Sequence, residues 1–165
     1  MNQTELQKTG NGYTVATVGN LATFEGKAFV KDIVGTTGME VSFGTLAPGQ
    51  AIPFNHYHKQ NEELYIVVSG TGVFTLDGIE EPVASGSLVR IAPAVSRCTK
   101  NTGNTPLVYI CIQAKEGSLE QYTATDGVVE EYANTRRIIK NQGGEDNKRA
   151  SSPFMFLWKI LPQCF

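Results

Sequence analysis

Between residues 20 and 115 the apolar positions do not recur at helical spacing. They fall in short runs of Val, Ile, Thr, Tyr and Phe, divided by Gly, Pro, Asn and Asp. The pattern predicts strands at Ala28–Val34, Met39–Leu46, Glu63–Val68, Gly72–Leu76, Glu81–Val83, Ser87–Ile91, Arg97–Lys100 and Leu107–Gln113. Pro48-Gly49, Ser69-Gly70, Asp77-Gly78 and Ser85-Gly86 supply turn signals between them. Asp77-Gly78 predicts a two-residue hairpin, because a type I′ turn needs positive φ at both central positions. So many short strands call for an all-β sandwich or barrel, in which closure or double-sheet packing limits exposed edges.

After Tyr122 the pattern changes. Val128–Lys140 predicts a helix capped by Asp126, with Glu130 and Glu131 in its first turn and Arg136, Arg137 and Lys140 near its end, as the helix dipole favours. The expected organisation is an N-terminal extension (1–24), a β-barrel domain (25–122), a short C-terminal helix (123–142), and a linker with an apolar tail (143–165). The last thirteen residues, PFMFLWKILPQCF, are too few to cross a bilayer and read as a docking segment or as a tail foreign to the domain.

Composition narrows the function classes. With 165 residues, 41% of them hydrophobic and 18% charged, the chain fits one globular domain. Fourteen basic against sixteen acidic residues leave no excess for neutralising phosphates, so nucleic acid is not an expected partner. The first twenty residues lack the basic and apolar regions of a secretory leader, and a cytoplasmic location is expected. Cys98, Cys111 and Cys164 form neither a disulfide framework nor a metal knuckle, and read as reduced thiols.

The chemistry gathers at the two histidines. His56 and His58 are two apart, so in an extended segment both imidazoles leave one face. Glu63 opens the strand Glu63-Leu-Tyr-Ile-Val-Val and shares a face with Tyr65 and Val67. If that face is the interior, an isolated carboxylate there costs several kcal/mol and needs a cation. A divalent metal on His56, His58 and Glu63 meets the need and keeps positions open; nitrogen and oxygen donors suit Mn, Fe, Co, Ni or Zn. Glu62 is the rival ligand to Glu63. Phe54 and Tyr65 share parity with the ligands and Gln113 ends the last strand, which makes all three candidates for lining a substrate pocket.

The segment Gly49-QAIPFN-His56-Tyr-His58-KQNE-Glu63-LYIVVS-Gly70 resembles the first motif of the cupins. The run Gly86-SLVRI-Ala92-Pro93-Ala94-VS-Arg97-CTK-Asn101 resembles the second, matching at Gly86 and Asn101 and departing at Ala92, Ala94 and Arg97, where the family usually has its third histidine. The resemblance covers residues 25 to 115. It implies a small single-domain cupin, a double-stranded β-helix or jelly-roll barrel, commonly a homodimer, with a metal in the barrel mouth.

Arg97 leaves two arrangements open, since a guanidinium has no lone pair for a metal. A metal on His56, His58 and Glu63 gives, with Arg97, a local charge of +2, which suits a small anionic metabolite gripped by the guanidinium fork. Alternatively Arg97 pairs with Glu63 in a metal-free barrel. Cupins span dioxygenases, isomerases and non-catalytic binders, so fold does not decide whether this chain is an enzyme, and no catalytic residue beyond the metal ligands is assigned.

Overall fold

The computed structural model describes residues 4–123 and 125–128. In chain order it contains β1 (Glu5–Gly10), β2 (Tyr13–Thr17), a 3-10 turn (Leu21–Thr23), β3 (Lys27–Phe29), α1 (Lys31–Val34), β4 (Met39–Leu46), β5 (Asn61–Ser69), β6 (Thr71–Leu76), β7 (Ile79–Ala84), β8 (Leu88–Ile91), β9 (Arg97–Asn101) and β10 (Leu107–Lys115). The strands expected from residue 39 onward all form, with ends displaced by at most two residues. The chain divides into units 1–118 and 119–165. In the second, the Asp126 N–H donates to the Thr123 carbonyl at 3.1 Å. The helix, linker and tail expected there lie outside the described residues from 129 onward.

The first unit is an all-β jelly roll. One sheet has the order β3-β4-β10-β5-β8, the second β7-β6-β9, and β1-β2 form a separate hairpin. All pairings within them are antiparallel. Alternation along β5 buries Glu63, Tyr65 and Val67, and along β6 it buries Gly72 and Phe74. Tyr65, Val67, Phe74, Ile91, Leu107, Tyr109 and Cys111 make one core. The Asp77-Gly78 hairpin forms as expected, with Leu76 opposite Ile79 and φ of 47° and 85° at the two turn residues. Gly70 has φ 85°, and a Cβ there would strike the backbone of Pro106 and Leu107, so the turn into β6 has no room for a side chain.

One local expectation is corrected. The strand expected over Ala28–Val34 stops at Phe29, and Lys31–Val34 turns as a helix. The Glu40 carboxylate accepts from the Val30 and Lys31 N–H groups at 3.1 and 3.0 Å, and Gly35 closes the turn with φ 81°. These contacts satisfy orphan helix-end donors and override the β-branched composition. Residues 5–17, within the expected N-terminal extension, pair as the hairpin β1-β2. Among the described residues no helix is long and apolar enough to cross a membrane.

Candidate metal centre

The loop between β4 and β5 carries both histidines, and it is fastened along β9. The Ile52 N–H donates to Thr99 O, the His56 N–H to Arg97 O, and the Arg97 N–H back to His56 O, at 2.9, 3.2 and 2.9 Å. The Ala94 N–H donates to His58 O at 2.9 Å. A segment with its backbone polar groups paired in this way holds its side chains in place, unlike a solvated surface loop. The His56 and His58 rings meet edge to face at 5.6 Å. Phe54 stands on the other side of His56 at 5.7 Å and is 60% exposed at the rim.

Glu63 approaches from β5 and is 6% exposed. Its Oε1 lies 3.0 Å from His58 Nε2, and its Oε2 accepts from Arg97 Nε and Nη2 at 3.0 and 2.6 Å. Burial alone would raise the Glu63 carboxyl, but the His58 hydrogen bond and the Arg97 cation outweigh it and hold the group below the ordinary carboxylate range. Arg97 itself is 2% exposed, and its remaining nitrogen donates to Val95 O at 3.2 Å. All three of its nitrogens therefore face protein oxygens, and it is absent from the cavity lining. The guanidinium is an internal partner of Glu63. Glu62, the rival ligand, instead pairs with Arg90 at 2.7 Å.

His56, His58 and Glu63 each offer one ligand atom, and these atoms lie within 4.8 Å of one another. His56 Nδ1 is buried without a hydrogen-bond partner. Burial, reinforced by Arg97, lowers the His56 pKa and keeps its imidazole neutral, the form that coordinates metals. Imidazole nitrogens and a carboxylate oxygen are donors that fit a divalent ion, and the unpartnered His56 nitrogen is available as one of them.

Gln113 sits opposite Glu63 across the β5-β10 ladder, and its amide reaches His58 Nε2 at 2.8 Å. The site opens into a cavity of about 540 Å³, also walled by Phe54, Tyr65 and Gln113. Among the lining residues that sequence reasoning missed are Cys111 and Lys27. The Cys111 thiol donates toward Glu63 Oε1 at 3.5 Å, and burial beside that carboxylate pushes its pKa up to about 12. Parity on β10 places Cys111 on the face of Gln113, a signal present in the sequence. Lys27 comes from an edge strand whose register no local pattern reveals.

Residues 42–113 match the family described as Cupin domain. An oxalate-binding protein of Thermotoga maritima is 31% identical over 67 residues, 41% of this chain and 54% of that protein. An uncharacterized protein of Methanocaldococcus jannaschii is 36% identical over 56 residues, 34% and 45% of the respective chains. The chain thus spans about half the length of these curated relatives. The crystal structure of a cupin protein from Bacteroides fragilis is 39% identical, with a TM-score of 0.68, and the match covers 74% of this chain and all of that one. Fold, motif and full-length likeness agree: the chain belongs to the cupin superfamily.

Proposed function

We propose that this cupin holds a divalent metal ion on His56, His58 and Glu63 and binds a small anionic metabolite beside it. The observation that carries the reading is the convergence of three ligand atoms within 4.8 Å, one residue of the set bearing a buried, unpartnered nitrogen. When bound, the ion supplies Lewis-acid chemistry, polarising a carbonyl or stabilising an enolate or other oxyanion. The chain does the rest. Arg97 fixes the Glu63 carboxylate by one oxygen, Gln113 orients the His58 ring, and Tyr65 and Phe54 shape the wall of the cavity.

The charge count points to an anion. Glu63 and Arg97 cancel, and an imidazole that holds an ion does so uncharged, so the ion's own charge faces the ligand. The oxalate-binding relative agrees with a small carboxylate as ligand class. Metal-dependent dioxygenase or isomerase chemistry is the enzymatic form of this reading. The Arg97–Glu63 ion pair favours one alternative, a metal-free binding module in which the pair has replaced the ion.

Elemental analysis of protein purified without chelator or nickel resin separates the two. About one equivalent of metal in the parent and none in His58→Ala supports the metal centre. An empty parent that acquires metal only as Arg97→His supports the metal-free module. We also propose a homodimer, because among the described residues β3 and β8 form unpaired edges of the larger sheet and Leu88 is exposed on one of them. A monomer by light scattering overturns this.

A further inference from the structure

Lys27 enters the same cavity from the opposite side of the sheet. It pairs with Gly44 on β4, and Gly44 pairs with Tyr109 on β10, so the three form one cross-strand row. A Cβ on Gly44 would run into the Tyr109 ring, so the missing side chain is what lets the ring lie there. The Lys27 ammonium stands 5.0 Å from the centroid of that ring and 5.2 Å from that of Phe29, which is 64% exposed. Among the described residues the Lys27 ammonium has no hydrogen-bond or ion-pair partner. The nearby charges are Glu40 and Glu63. Glu40 is engaged with the Val30 and Lys31 N–H groups, and Glu63 with Arg97 and His58. Partial desolvation lowers the Lys27 pKa, which agrees with an ammonium lacking a full partner set.

We infer that Lys27 is the anion anchor of the ligand site, and that the ligand is a carboxylate with an apolar body whose charged end meets this ammonium. The inference rests on the proposed small-anion site and deepens it by moving the anion contact from Arg97, which is occupied, to Lys27, which is free to donate. Two strands, β4 and β10, separate β3 from β5. At about 4.8 Å per strand spacing the backbones of Lys27 and Glu63 stand roughly 14 Å apart across the sheet. A cavity of about 540 Å³ is also of the size that encloses a larger ligand. Phe29, Tyr109, Ile52 and Phe54 line the space with apolar surface. Lys27 is itself exposed on this edge strand, so a carboxylate entering the cavity can reach the ammonium beside the two rings.

The test compares 3-phenylpropionate with its amide by calorimetry, on the full chain both stripped of metal and loaded with zinc. The parent is expected to bind the acid at least about tenfold more tightly than the amide in both forms. Lys27→Met should remove that preference in the stripped protein, while Lys27→Arg should keep most of it and zinc uptake should match the parent in both variants. A preference that survives Lys27→Met in stripped protein overturns the inference, as does a parent that binds neither compound or both equally. A preference seen only with zinc, and unchanged in Lys27→Met, assigns the anion to the metal and overturns Lys27 alone. If the parent takes up no zinc, the metal reading fails, and the stripped-protein comparison still decides the role of Lys27.

Discussion

Arg97 donates through both Nε and Nη2 to a single oxygen of Glu63, Oε2, and leaves Oε1 turned toward His58. The ion pair therefore forms without using the second carboxylate oxygen. One carboxylate oxygen belongs to an internal ion pair, and the other faces the histidines.

Removing the cation should show how much the barrel depends on that pair. Arg97→Met leaves Glu63 buried and uncompensated, and should lower unfolding free energy by about 3–5 kcal/mol. The double variant Arg97→Met/Glu63→Leu removes the orphaned charge and should recover a large part of the loss. Urea denaturation of parent, single and double variants measures both. A single variant as stable as the parent would show that the pair is better solvated than its burial indicates.

The fold was legible because its strands satisfy local rules. In β5, Glu63, Tyr65 and Val67 alternate with half-buried neighbours, and Asp77-Gly78 is a turn signal with a steric cause. The convergence of His56, His58 and Glu63 was legible for the same reason, parity combined with a charge that needs a partner. What escaped was set by distant pairing. Glu40 caps the turn at Lys31 from across a β-ladder, ten residues from Val30, so the run Phe29–Val34 reads as strand until that contact is known. In β1 only one residue of ELQKTG is strongly apolar and no position is buried, so its pairing leaves no alternating pattern. Lys27 joins the site through cross-strand rows, which no single segment encodes.

Gln113 should matter to metal affinity without being a ligand. Its amide lies 3.2 Å from His58 Nδ1, the ring nitrogen not shared with Glu63, and so fixes the ring. Gln113→Ala is expected to weaken metal binding by about 10- to 100-fold while keeping its stoichiometry. His58→Ala should abolish binding. Competition against a chromophoric chelator reads both. Equal affinities in Gln113→Ala and parent would show that the ring is held by its backbone alone.

Acid should destabilise the metal-free protein in two stages. The folded pKa of His56 lies below its ordinary 6.5, so just below that pH the unfolded chain binds the extra proton and stability falls as pH falls. The folded pKa of Glu63 lies below its ordinary 4.5, so its contribution is complete above 4.5 and is lost as pH drops through the folded value. Urea midpoints from about pH 7.5 to about pH 3 follow both stages. His56→Asn should erase the upper stage and keep the lower one. A stability that stays flat between pH 6.5 and 4.5 would contradict the assignment to His56.

Gly44→Ala should injure both the barrel and the cavity floor. Gly44 lies in the interior of β4, where alanine is ordinarily the better residue, so propensity alone predicts a slight gain. Sterics oppose it. The new methyl would overlap the end of the Tyr109 ring, which is 4% exposed and is backed by Tyr65 at a centroid distance of 5.6 Å. A ring confined on that side cannot simply swing away, and overpacking of this kind costs about 1–3 kcal/mol. The partner substitution Tyr109→Leu shortens the side chain and frees the space. Combined with Gly44→Ala it should cost less than the sum of the two separate losses, since the residues are in contact. Additive losses would show that the methyl is accommodated without moving the ring.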